Sequence, residues 1–136
     1  MSFSFVIPGQ PPSVNHLYKI ATGVVKDKHG RPVLGPDGKA QRYRRMVKHD
    51  GVEQYQNLVG WIVKGARPKG WEASNRLRIR YWFFLKRDMD CDNALKALND
   101  AIAKAIGVND KIFLPCVQDK TIGNKEPYVK VEIELL

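Results

Sequence analysis

Apolar and polar residues alternate near both ends of the chain. Residues 2–7 alternate polar and apolar, with Phe3, Phe5 and Ile7 in the apolar places, until Pro8-Gly9 interrupts them, which predicts a short half-buried strand closed by a turn. The clearest alternation covers residues 76–85: Leu77, Ile79, Tyr81, Phe83 and Leu85 share one face, and Arg78, Arg80, Trp82 and Phe84 the other. Two further strands are predicted at about 112–120 and 128–135, joined as a hairpin through Gly123-Asn124. Steps of three and four residues mark two helices. One runs from about 44 to 65 on Met46, Val47, Tyr55, Leu58, Val59 and Ile62. The other runs from about 93 to 106 on Leu95, Leu98, Ile102 and Ile106, with Gly107 where a C′ glycine belongs. These elements predict an α+β fold, a small mixed β-sheet with two main helices packed on it.

Between the first strand and the first helix the pattern breaks down. Pro11 and Pro12 fix φ, and Ser13 and Asn15 add short polar side chains able to bond backbone or ligand. Residues 19–43 are rich in Gly, Lys and Arg, with turn signals at 28–32 and 35–38, and are read as a basic loop or hairpin insert. A loop this long in a compact domain is usually functional or disordered, and this one has the composition to order on DNA. Arg42, Arg44, Arg45 and Lys48 fall at the start of the predicted helix. Cations there oppose the helix dipole, so an external anion would relieve a local conflict.

Composition changes the picture in one respect. At 136 residues, 43% hydrophobic and 27% charged, the chain fits one domain spanning 1–136 with a sufficient core, which excludes disorder as a whole. But 23 Lys+Arg against 14 Asp+Glu give a net charge of +9 and call for an anionic partner. Nucleic acid fits better than membrane, because no basic amphipathic helix has a clean apolar face. No leader-like segment and no stretch approaching a membrane span is present, so the expected location is cytoplasmic. Cys91 and Cys116 make neither a disulfide framework nor a zinc spacing.

Against that basic background Asp88, Asp90 and Asp92 fall within five residues. Adjacent carboxylates repel unless a cation settles among them, and a hard divalent metal with oxygen ligands fits best. The knot begins where the strong strand ends. Asp92 or Asn93 is placed to cap the following helix, and Lys96 lies one turn beyond Asp92, within reach of the same metal or of a scissile phosphate. Asp110 follows a helix that rises about 20 Å, so this geometry leaves it remote unless the next strand runs back or the helix is shorter or bent. Plainer roles exist: Asp92 as a cap alone, Asp88 paired with Arg87 or a solvent-facing lysine, Lys96 paired with Asp92 or Asp100. A calcium loop is excluded, since Asn93 and Asn99 stand where an EF-hand needs Gly and Glu. His16, His29 and His49 show no metal spacing and no partnered nucleophile. Trp82 and Phe84 suit base stacking, although their strand spacing favours a core.

Asp90-Cys91-Asp92-Asn93-Ala94-Leu95-Lys96, a helix closed by Gly107, and then Asn109-Asp110 resemble the RusA-type Holliday-junction resolvases, crossover-junction endodeoxyribonucleases common in phages and prophages. Pro11-Pro12-Ser13-Val14-Asn15-His16-Leu17-Tyr18 is similar to that family's opening motif. The resemblance implies a homodimeric RusA-like fold and a Mg²⁺-dependent nuclease, with Mn²⁺ as the other candidate ion. It implies Asp90, Asp92 and Asp110 as metal ligands and Lys96 as a catalytic lysine, Asp110 reaching the site through an intertwined dimer. The implied substrate is branched DNA in the form of a four-way junction. Asn15, Arg42, Arg44, Arg45 and Lys48 are the expected DNA-binding residues. The long insert and Asp88 depart from the family pattern and bear on substrate preference. Two alternatives stand beside this reading: a non-catalytic basic nucleic-acid-binding protein that needs no Mg²⁺, and a nuclease of other branched DNA such as flaps or forks.

Overall fold

The computed structural model describes residues 1–13, 18–48 and 50–136, with side chains throughout except at 18–22, 44–48 and 50. The strong alternation forms strand β4 (Leu77–Phe84), and its apolar face is the middle of the core: Leu77, Ile79 and Tyr81 are fully buried. β4 is hydrogen-bonded on both edges. On one side lies β6 (Tyr128–Leu135), antiparallel, and beyond it β1 (Ser2–Pro8), also antiparallel. On the other side β5 (Phe113–Thr121) runs parallel, giving the order β1-β6-β4-β5. The expected mixed sheet with two helices is therefore present.

Helix α1 (Asp50–Ala66) turns Val52, Tyr55, Val59 and Val63 inward, at steps of three and four residues, and leaves Leu58 and Trp61 outside. Helix α2 (Cys91–Ile106) is the crossover between β4 and β5 and buries Ala94, Leu98, Ile102 and Ile106. Each large apolar side chain fully buried here contributes about 1.5–3 kcal/mol. Polar bonds register the layers: Tyr81 on β4 donates its hydroxyl to Asn99 Oδ1 on α2, and Gln56 Nε2 on α1 donates to Ala97 O at 3.1 Å.

Among the described residues no helix packs on the other sheet face. Arg80 bridges Glu132 and Glu134 at 2.7 and 2.6 Å, Phe84 stacks on Tyr128 with ring centroids 4.3 Å apart, and Lys130 Nζ lies 5.0 Å from the Trp82 ring centroid. Trp82 and Phe84 are thus half-buried cross-strand partners rather than core residues.

Two expected elements are corrected. Residues 42–48 do not open a helix: β3 (Arg42–Lys48) pairs antiparallel with β2 (Tyr18–Val24), from Tyr18↔Lys48 to Val24↔Arg42. Val25 N continues the pairing to Gln41 O at 2.9 Å, and the bridges Lys26↔Pro32 and Leu34↔Ala40 close two smaller turns inside the connection, so the basic insert is a hairpin with a folded tip. Met46 and Val47 suit either period, and backbone pairing with β2 decides. Helix α1 instead starts at Asp50, an acid that the helix dipole favours, which removes the supposed clash with Arg42, Arg44, Arg45 and Lys48. Nor do β5 and β6 form a hairpin, because β4 lies between them. Their connection passes the end of β4, where Asn124 N bonds Leu85 O at 3.0 Å and Gly123 N bonds Lys86 O at 3.3 Å. β5 is left as an edge, and its exposed Gln118, Asp119 and Lys120 suit that position.

Candidate active site

β4 and β5 finish side by side, Leu85 N bonding Thr121 O at 2.8 Å, and residues 86–89 then leave the sheet toward α2. Asp90 is extended (φ −67°, ψ 125°) and its Oδ1 accepts from Asp92 N at 3.0 Å. Asp90 is therefore the N-cap, two or three residues before the expected caps Asp92 and Asn93, and the helix begins at Cys91 rather than at about 93. Cys91 packs against the core and draws the first turn forward. Asp92 falls in that first turn, where the exposed helix amides favour a negative charge. Asp90 and Asp92 are both exposed. A carboxylate has about four acceptor sites, so the cap leaves Asp90 with capacity directed outward.

Lys96 stands one turn beyond Asp92, its Nζ 3.5 Å from Asp100 Oδ2. An exposed pair at this spacing is worth only a few tenths of a kcal/mol and does not hold the ammonium in place. Asp88 is drawn the other way, bonded at 2.9 Å to Lys120 Nζ on β5, which also reaches Met89 O at 3.4 Å. That bond to Asp88 raises the Lys120 ammonium above its ordinary range. Burial pushes the Cys91 thiol up, which keeps it protonated and unsuited to nucleophilic attack.

Asp110 opens a 3₁₀ turn (Asp110–Ile112) capped by Asn109, whose Oδ1 accepts from Lys111 N at 3.0 Å. Gly107 closes α2 in the left-handed conformation (φ 74°), as expected. Because β5 is parallel to β4 and Phe113 pairs with Leu77, Asp110 lies at the opposite end of the unit. The rise of α2 sets that separation at about 24 Å. Within one chain the fold gathers Asp90, Asp92 and Lys96 and leaves Asp110 apart. Among the described residues no three His, Cys, Asp or Glu side chains group to hold a metal. Arg42 is exposed on β3, which also carries Arg44, Arg45 and Lys48; the side chains of these three, and Asn15 entirely, lie outside the described residues.

Three residues that sequence patterns did not single out as site residues hold the aspartate loop. Gln10 Oε1 accepts from Lys86 N at 2.9 Å, while its Nε2 donates to Arg87 O at 3.1 Å and meets Met89 Sδ at 3.4 Å. Asn124 Nδ2 donates to Leu85 O at 3.1 Å, and Lys120 makes the bonds given above. Gln10 is 76 residues from Lys86, a separation that no periodicity or spacing rule reports.

The donors suit a hard cation. Asp90 and Asp92 offer only carboxylate oxygens, and Mg²⁺ is usually held by one or two carboxylates completed by water and substrate phosphate. A family model described as Endodeoxyribonuclease RusA matches residues 8–134, from the proline-serine loop through the aspartate unit to β6. The protein is accordingly an endodeoxyribonuclease, a hydrolase of DNA phosphodiesters. More narrowly, the chain belongs to the RusA family, whose members resolve Holliday junctions with a divalent metal.

None of the curated proteins matches the chain in sequence. Among solved structures, IspF from Plasmodium falciparum in complex with CDP superposes with a TM-score of 0.35 at 11% identity, covering 94% of this chain and 93% of that one. The 2C-methyl-D-erythritol 2,4-cyclodiphosphate synthase from Plasmodium vivax gives 0.35 at 12% identity, covering 95% of each chain. Superpositions this loose carry no argument about function. Among the described residues no helix is long and apolar enough to cross a membrane.

Proposed function

We propose that the protein is a Mg²⁺-dependent, homodimeric resolvase of four-way DNA junctions, with its cutting centre at the N-terminus of α2. The observation that carries this reading is the pairing of a capping carboxylate, Asp90, with a first-turn carboxylate, Asp92, on an exposed strand–loop–helix junction. Bound Mg²⁺, or Mn²⁺ in its place, would polarise the scissile phosphate and lower the pKa of the attacking water. Asp90 and Asp92 supply its oxygen ligands from one chain. Asp110 of the partner subunit supplies a third, which accounts for its position about 24 Å away within a single chain. Lys96 leaves Asp100 to meet the negative charge that builds on the phosphate during attack.

A C₂ dimer places two such centres against opposed strands, as the approximate two-fold symmetry of a four-way junction requires for paired cuts. Asn15, Arg42, Arg44, Arg45 and Lys48 grip the arms through phosphates, so affinity falls with salt. The deciding experiment is gel-resolved cleavage of a four-way junction, a fork, a flap and a linear duplex, each with Mg²⁺ or with EDTA. Symmetric paired cuts in the junction alone, lost in EDTA, are expected. Equal cutting of forks and flaps would widen the substrate to branched DNA in general, and binding without any cutting would overturn the reading.

A further inference from the structure

The knot holds three carboxylates, and the fold sorts them. Residues 86–89 have no place in the sheet, and the cost of fixing irregular backbone is about 1–2 kcal/mol per residue. Two remote side chains meet that cost from opposite sides. Gln10 acts as an extra strand neighbour, accepting from Lys86 N and donating to Arg87 O. It is itself anchored, with Gly9 N bonded to Pro127 O at 2.8 Å on one side and Pro11-Pro12 on the other. Lys120, one residue before the Thr121 carbonyl that takes Leu85 N, bonds Asp88 and reaches the Met89 carbonyl. Asp88 is thereby held on Lys120 while Asp90 follows directly from the fixed loop.

We infer that Gln10 and Lys120 are positioning residues for the metal site formed by Asp90 and Asp92: they clamp residues 86–89 between them. The inference rests on the function proposed above. It also has a sign that separates it from simple electrostatics. A cation near a metal site repels the metal, so if Lys120 acted through its charge alone, removing it would tighten metal binding. If it positions the loop, removal weakens binding, and loss of such an outer partner typically costs 10–100-fold in metal affinity or activity.

The test uses the full chain with Lys120→Met, Lys120→Arg and Gln10→Leu. Calorimetric Mn²⁺ binding without DNA, Mg²⁺ dependence of junction cleavage, junction binding in EDTA, melting temperature, and hydrogen exchange of the Lys86 and Asp92 amides in metal-free protein are measured. Lys120→Met and Gln10→Leu are each expected to weaken Mn²⁺ binding and raise the half-saturating Mg²⁺ about tenfold. Amide exchange should quicken, while melting and metal-free junction binding stay near wild type, and Lys120→Arg should recover most of the affinity. Unchanged or tighter metal binding, or a loss confined to metal-free junction binding, would overturn the inference and make Lys120 a phosphate contact. If the wild type binds no metal yet both substitutions quicken exchange, the clamp stands and the proposed active site falls.

Discussion

At the start of α2, Asp90 caps the helix by accepting from Asp92 N at 3.0 Å; past its far end, Asn109 caps the 3₁₀ turn by accepting from Lys111 N at the same distance. Both caps leave an exposed carboxylate in the turn they open, Asp92 at one end and Asp110 at the other. The ends differ in charge and in support. Asp90 is an anionic cap on a loop held by Gln10, Lys120 and Asn124, whereas Asn109 is neutral and follows the helix directly after Gly107 and Val108. One local motif, an Asx cap with an acid behind it, therefore yields two carboxylates on a fixed loop in one place and a single carboxylate in the other. In the function proposed above, the first begins a metal site and the second completes the site of another copy.

The largest expected effect breaks the comparison at its stronger end. Asparagine caps a helix about as well as aspartate, so Asp90→Asn keeps α2 intact and removes only the charge. Cleavage should fall by about a thousandfold or more while melting and metal-free junction binding hold. Asp90→Ala should lose activity as completely and also cost about 1 kcal/mol of stability, the usual value of a cap. Retained cutting by Asp90→Asn would move the centre away from this end. Lys96→Met comes next, with a fall in cleavage of about a hundredfold at saturating Mg²⁺, because a charge meeting the transition state is lost rather than a ligand. A change in Mg²⁺ half-saturation alone would instead assign Lys96 to metal binding. Mixing Asp90→Asn and Asp110→Asn chains then tests whether the two ends cooperate across subunits. With random assortment half the dimers are mixed and each contains one intact centre, so about a quarter of the centres should recover, as nicks rather than paired cuts. No recovery would mean that the two aspartates act within one chain or separately.

How much of this was legible in the sequence depends on how local each determinant is. β4 was readable because a period of two over Leu77 to Leu85 fixes both the strand and its buried face, and the end of α2 because Gly107 supplies the left-handed cap. Asp90 and Asp92 could be singled out because charge density alone marks them. The start of α2 was misplaced because Cys91, not a strong apolar marker, begins its packing. Residues 42–48 were misread because Met46 and Val47 fit both periods and their partner strand lies in the insert. Strand neighbours follow no local rule, which is why β5 and β6 looked like a hairpin. Gln10 and Lys120 escaped for the same reason, since their bonds span 76 residues to Lys86 and 32 to Asp88.

The smallest expected effect lies between the two ends. Asp100 lies one turn beyond Lys96 with its Oδ2 3.5 Å from the ammonium, the side chains being 33% and 56% exposed respectively. Such a pair adds about 0.2–0.5 kcal/mol to a helix, and solvent screens it further. Asp100→Asn should therefore lower the melting temperature by only about one or two degrees. If Lys96 must leave Asp100 to serve the phosphate, releasing it removes a weak competitor, and cleavage should hold or rise by less than about twofold, the scale of the lost pair. A tenfold fall would show instead that Asp100 orients the lysine, extending the working part of α2 a full turn beyond its capped end.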